Sequence, residues 1–131
     1  IGEVVELLSP VYHDYSITSL SKFNQALIQR ISTYLGIKTE FRNSSEFQLE
    51  EDRVGKLISI CEQLSASIYL SAPAAKNYIT DEFDAIDLDL HWMEYGPYEK
   101  YEQNVDSFSD FVSIVDTIAA LGPEARQNIL I

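Results

Sequence analysis

Residues 67–75 read Ser67-Ile68-Tyr69-Leu70-Ser71-Ala72-Pro73-Ala74-Ala75, and the reading of this stretch decides the fold class. Ile68, Tyr69 and Leu70 make a short apolar run with β-branched and aromatic members, as an interior strand does. The run stops at Ser71. Pro73 then stands where its fixed φ suits the first turn of a helix, which Tyr78 and Ile79 close. A strand that feeds at once into a helix is the first half of a crossover between parallel strands.

Working outward, Ile86, Leu88, Leu90 and Trp92 alternate with Asp87, Asp89, His91 and Met93, the period of another strand. On the other side, Val54, Leu57, Ile58, Cys61 and Leu64 repeat at three and four residues, a helix for which Asp52 supplies the N-cap. Ahead of it Ile37, Thr39 and Phe41 alternate with Lys38, Glu40 and Arg42, which predicts a first strand with one buried face. Leu20, Phe23, Leu27, Ile28, Ile31 and Leu35 lie on one helix face, and Gly36 sits where a left-handed C-cap belongs. Phe111, Val112, Val115, Ile118 and Ala119 mark a last helix, stopped by Gly122-Pro123. The pattern predicts a single α/β domain over residues 1–131, a small parallel three-stranded Rossmann-like sheet flanked by helices. Its expected core is Phe23, Leu27, Ile31, Leu57, Ile58, Cys61, Ile68, Leu70, Leu88, Ile114, Val115 and Ile118.

Nine Lys and Arg against 21 Asp and Glu give a net charge of −12, which argues against a nucleic acid, whose phosphates are bound chiefly by cations. The charge is uneven. Residues 1–80 carry nine acids and seven bases, and residues 81–131 carry twelve acids and two bases, so the second stretch reads as a solvated acidic surface. No apolar run approaches the roughly 18 residues of a membrane span, and no basic-then-apolar leader opens the chain. Cys61 is the only cysteine, which excludes an intrachain disulfide and suits a reducing, cytoplasmic setting. Asn43-Ser44-Ser45 matches a glycosylation sequon, a triplet that also arises by chance.

Open parallel sheets place ligands beyond the carboxyl ends of their strands. The segments to read are therefore Asn43-Ser44-Ser45-Glu46, Ser71-Ala72-Pro73-Ala74 and Glu94-Tyr95-Gly96-Pro97-Tyr98. Ser44, Ser45 and Ser71 have two readings, a phosphate or sugar contact and an ordinary turn. Tyr95, Tyr98 and Tyr101 with Gln103 read either as the wall of a carbohydrate site or as a loop pinned by amphipathic rings. Asp116, near the apolar face of the last helix with Ser113 one turn before it, is placed to hydrogen-bond that loop. His13 and His91 are far apart and neither has a metal-ligand neighbour, so the reading assigns no metal and no cofactor. Cys61, on an apolar helix face, reads as packing.

The order of these segments resembles the C-terminal part of the WbqC-like family, bacterial proteins linked to O-antigen and other surface-polysaccharide biosynthesis. The resemblance runs through Phe23-Asn24, Leu35-Gly36-Ile37-Lys38-Thr39, Ser44-Ser45-Glu46, Lys56-Leu57-Ile58, Ile60-Cys61, Tyr69-Leu70-Ser71, Ala74, Tyr78 and Phe83. It is most specific at Tyr101, Gln103, Phe108, Ser113, Asp116 and Gly122. It implies a protein of surface-polysaccharide precursor synthesis, a transferase on an activated sugar, with Ser44, Ser45, Ser71, Tyr98, Tyr101, Gln103 and Asp116 as substrate contacts. Its partner would be a sugar nucleotide or another small-molecule substrate. The other reading is a non-catalytic binding or scaffold domain.

Three features depart from the family pattern. Ser71-Ala72-Pro73-Ala74-Ala75 replaces a Ser-Gly-x-x-Gly type loop, Lys56 replaces an Arg, and the His-Gln-Pro and Trp-Gly-Tyr elements of the N-terminal half are absent. The chain, which begins at Ile1, is therefore expected either to be the second half of a larger fold or to self-associate.

Overall fold

Chain order already separates two bodies. In this computed structural model, which describes residues 2–105 and 107–129, Ile1–Phe41 and Pro97–Ile131 form one compact unit and Arg42–Gly96 a second, inserted between them in sequence.

The first unit is helical. Helix α1 (Gly2–Tyr12) places Val4, Leu7 and Val11 on one side. Helix α2 (Leu20–Tyr34) ends in a Schellman cap: the Ile37 amide donates to the Ser32 carbonyl at 2.8 Å and the Gly36 amide to the Thr33 carbonyl at 3.0 Å. Gly36 holds φ at 66°, the left-handed region that glycine enters without strain. Two further helices of this unit follow late in the chain. The core gathers Leu35, Ile118 and Ala125, with Val4, Leu7, Ile31, Tyr34, Ile37, Ile114 and Leu121 packed against them. Ile118 is 1% exposed.

In the second unit helix α3 (Arg53–Gln63) starts on Asp52, whose carboxylate accepts from the Gly55 amide at 2.7 Å. Strands β1 (Ile68–Ser71) and β2 (Asp89–Trp92) pair in parallel, Tyr69 opposite Leu90 and Ser71 opposite Trp92. The crossover between them carries 3-10 turns at Pro73–Asn77 and Glu82–Ala85. Its Ala75, Ile79 and Phe83 are buried with Val54 and Cys61 of α3 against the sheet face that bears Tyr69, Leu90 and Trp92. Returning to the first unit, helix α4 (Ile114–Leu121) runs through a 3-10 turn at Gly122–Glu124 into helix α5 (Ala125–Ile129).

The sheet differs from expectation. Among the described residues it has two strands, not three, and Ile37–Phe41 forms no strand. That segment belongs to the helical unit, Phe41 is 44% exposed, and no neighbouring backbone ladder receives its amides. The inward parity of β1 is also reversed: Ile68 and Leu70 are 55% and 54% exposed, whereas Tyr69 and Ser71 face the core. Tyr69 takes the inner face because its ring stacks on Phe83, centroids 5.4 Å apart. Of the remaining expected core, Cys61, Leu88 and Ile118 are buried, and Phe23, Leu27, Ile31, Leu57, Ile58, Ile114 and Val115 are half-buried. The last helix starts at Ile114, not Phe111, because the Ser113 hydroxyl accepts from the Val115 amide and caps it there. Phe111 stands free of it, 96% exposed.

Candidate functional site

The loop after residue 97 is tied to α4 by one polar network. The Tyr101 hydroxyl donates to the Asp116 carboxylate at 2.8 Å and so accepts from the Thr117 hydroxyl at 3.2 Å. The Gln103 amide nitrogen reaches the Ser109 carbonyl at 2.8 Å, the Tyr101 oxygen at 3.1 Å and Asp116 at 3.2 Å, while its carbonyl accepts from the Ser109 amide. Asp116 can serve in this network because it lies in the first turn of α4, on the side turned to the loop. The anticipated link between Asp116 and the tyrosine loop is thus present, and Ser113 serves instead as the helix cap.

Beside this network lies a cavity of about 190 Å³, lined by Tyr98, Tyr101, Phe108, Asp110, Thr117 and Asn128 among others. Phe108 meets the Tyr101 ring edge-on at 5.4 Å, which fixes one wall. Asn128 is buried and donates to the Glu99 carbonyl at 2.7 Å, closing the loop on α5. The Tyr101 hydroxyl, the Gln103 amide nitrogen and one carboxylate oxygen of Asp116 are engaged with one another. The cavity offers a ligand ring and aliphatic surface together with about as much polar surface, to which Asp110, Thr117 and Asn128 contribute. A volume below the usual 300 Å³ or more of small-molecule pockets admits one ring or one short acyl group, not a whole nucleotide.

A second cavity, about 500 Å³, opens in the other unit at the carboxyl end of β1, lined by Arg53, Tyr69, Ser71, Ala74, Asn77 and Tyr78 with their neighbours. Ser71 reaches it as the last residue of β1 and is 6% exposed. Arg53, at the first position of α3, lies over the Tyr78 ring with its guanidinium carbon 3.5 Å from the centroid.

Ser44 and Ser45 lie instead in an exposed 3-10 turn. Asn43 accepts from the Ser45 amide and hydroxyl, and Glu46 reaches back to the Asn43 amide at 2.7 Å, a capping box. That amide, with the Arg42 guanidinium, holds the Glu46 carboxyl below its ordinary range. Of the sequence-derived candidates, Ser44, Ser45 and Ser71 fall in one unit and Tyr98, Tyr101, Gln103 and Asp116 in the other. The structure joins Tyr101, Gln103 and Asp116, lines one cavity with Tyr98 and Tyr101, and sets Ser71 in another. Arg53 and Asn128 were not foreseen; an Arg directly after an N-cap Asp was the one local signal for the first.

His13 shares a hydrogen bond with the Ser9 carbonyl and His91 is exposed, and among the described residues neither is hydrogen-bonded to a hydroxyl or thiol side chain. Burial pushes the Cys61 thiol upward, which keeps it protonated and inert. Among the described residues no three His, Cys, Asp or Glu side chains cluster as metal ligands, and no helix is long and apolar enough to cross a membrane.

Comparison with known proteins adds two matches. A family model described as the WbqC-like protein family matches residues 1–128. The uncharacterized protein Rv1507c of Mycobacterium tuberculosis is 34% identical over 125 residues, covering 95% of this chain and 54% of that protein. The chain thus spans about half the length of that relative. No solved structure matches.

Proposed function

The chain belongs to the WbqC-like protein family, and from that membership we propose that it acts in the synthesis of bacterial surface-polysaccharide or O-antigen precursors. Its ligand in this reading is an activated, nucleotide-linked sugar, and its setting is the cytoplasm, where such precursors are made. The observation that carries the reading is the cavity of about 190 Å³ walled by Tyr98, Tyr101 and Phe108. Aromatic rings cover the apolar faces of a sugar while polar border groups meet its hydroxyls. The reaction we propose is transfer of an acyl or aminoacyl group onto an amino sugar. This chain would supply the substrate-holding part, equivalent to the C-terminal half of a longer family member, with the transfer chemistry in the remainder.

A second reading, a non-catalytic binding module in a biosynthetic complex, is favoured by one observation. Among the described residues neither histidine is hydrogen-bonded to a hydroxyl or thiol side chain, and the Tyr101 hydroxyl, the Gln103 amide nitrogen and one carboxylate oxygen of Asp116 are used internally.

A thermal-shift screen with uridine- and thymidine-diphosphate hexoses tests ligand binding, since a ligand of the folded state at about 100 times its Kd adds about 2.7 kcal/mol. The sugar-dependent part of the shift should vanish in Tyr98→Ala. If no sugar nucleotide moves the transition, the reading fails; binding without turnover selects the module.

A further inference from the structure

We infer that the crevice at the carboxyl end of β1 binds the phosphate or diphosphate group of a small molecule, gripped by Arg53 and assisted by Lys76 and Ser71. The inference is independent of the sugar-ring cavity in the other unit.

Charge makes these cations conspicuous. Residues 42–96 contain eleven Asp and Glu against four Lys and Arg, so a cation here has carboxylates in abundance to pair with. Arg42 does so, at 2.7 Å from Glu46. Arg53, Lys56 and Lys76 do not: among the described residues none of the three makes an ion pair, and what sets Arg53 and Lys76 apart is that each rests on an aromatic ring. Arg53 lies 3.5 Å from the Tyr78 centroid and Lys76 Nζ 5.2 Å from that of Trp92. Stacking occupies only the flat face of a guanidinium. Its in-plane N–H donors stay available, and their fork matches two oxygens of a phosphate.

Position agrees with charge. Trp92, which carries Lys76, is the register partner of Ser71, and Lys76 itself stands between Ala75 and Asn77, both lining the crevice. Both cations are therefore held where the parallel strands end, the place at which open α/β sheets receive ligands. Ser71 adds a hydroxyl and Asn77 an amide, and Ala72, Ala74 and Ala75 keep the space open. Asp52, next to Arg53, caps α3 by accepting from the Gly55 amide and makes no ion pair with Arg53 among the described residues. A volume near 500 Å³ is far larger than one phosphate and lies in the range of small-molecule pockets, so the anion arrives attached to a larger body.

Trp92 is the only tryptophan, so its fluorescence reports locally on Lys76. The test titrates the full chain with inorganic pyrophosphate, UDP, UDP-glucose and glucose at constant ionic strength. Pyrophosphate and UDP should shift the Trp92 emission saturably, and glucose should not. Arg53→Gln should weaken binding at least tenfold, Arg53→Lys and Lys76→Gln less, with circular dichroism unchanged. Tyr98→Ala should leave pyrophosphate binding intact. UDP-glucose binding ten times tighter than pyrophosphate would identify the source as an activated sugar, and equal affinities would identify the free diphosphate. An unchanged Kd in Arg53→Gln, glucose acting as well as the anions, or no saturable binding of any anion would overturn the inference.

Discussion

Ile118→Ala should be the most damaging single truncation in the helical unit, and paired with Leu70→Ala it separates two ideas about where the core lies. Ile118 is 1% exposed and touches the cluster built on Leu35 and Ala125. The substitution removes three buried carbons, worth about 2.4 kcal/mol of transfer at about 0.8 kcal/mol each. The space left adds roughly 1–2 kcal/mol at about 24 cal/mol per Å³, depending on how far α1, α2 and α5 close in. A total of about 3–4 kcal/mol is expected, which at this chain length lowers Tm by roughly 9–20 °C. Leu70, also a branched apolar residue in a regular element, is 54% exposed, and its truncation should stay within about 0.5 kcal/mol. Urea denaturation followed by far-UV circular dichroism measures both. A loss below 1 kcal/mol for Ile118→Ala, or equal losses for the two variants, would refute the assignment of buried and open faces.

Three further outcomes follow from particular contacts. Ser65 closes α3 in the left-handed region at φ 52°, a conformation that costs an L-residue about 1–2 kcal/mol, so Ser65→Gly should raise stability by about 0.5–1 kcal/mol after the entropy glycine adds to the unfolded chain. The urea midpoint should move up with the m-value unchanged. Tyr34 has its phenol pushed up to about 12 by partial burial, with the hydrogen bond to Glu3 and its negative charge adding to the shift. The unfolded chain ionises near 10, so this contribution is fully present below pH 10 and is lost as pH rises from about 10 through 12. Tyr34→Phe should flatten that decline in denaturation curves taken across the window. Tyr101→Phe removes the donor to Asp116 and an acceptor for Thr117 and Gln103, and should cost about 1.5–3 kcal/mol, the range for a hydrogen bond to a charged group. Faster amide exchange at Ser109, which Gln103 holds, would locate the loss in the loop.

Helices were legible where their evidence is local. The three-four spacing of α2 and α3, Gly36 and Asp52 all act within a few residues of themselves, so one sequence contains the whole argument. The α3 terminus escaped because Ser65, not glycine, adopts the left-handed cap. The sheet was harder for a physical reason. A period of two says that one parity faces inward without saying which, and Tyr69, not Ile68 or Leu70, won because a distant Phe83 stacks on it. Ile37–Phe41 alternates as well as a strand does, but a strand exists only through a partner ladder, and pairing is a long-range fact.

The same division governs the sites. Ser71 was readable because the end of a strand is a local signal and the ligand rule for parallel sheets then points at it. Asp116 was readable because a carboxylate beside an apolar helix face needs a donor, and Tyr101 with Gln103 supplied one. Arg53 was not. In sequence it is one of two cations in α3, and the family pattern marks the other, Lys56, where it puts an arginine. What distinguishes Arg53 is a ring twenty-five residues away that fixes its guanidinium, together with the absence of an ion pair among the described residues, and neither fact has a sequence signature. A cation's role follows from what it is not bonded to, and only packing reveals that. In a chain of net charge −12, the cations held on rings instead of carboxylates are the ones whose charge is left for a ligand.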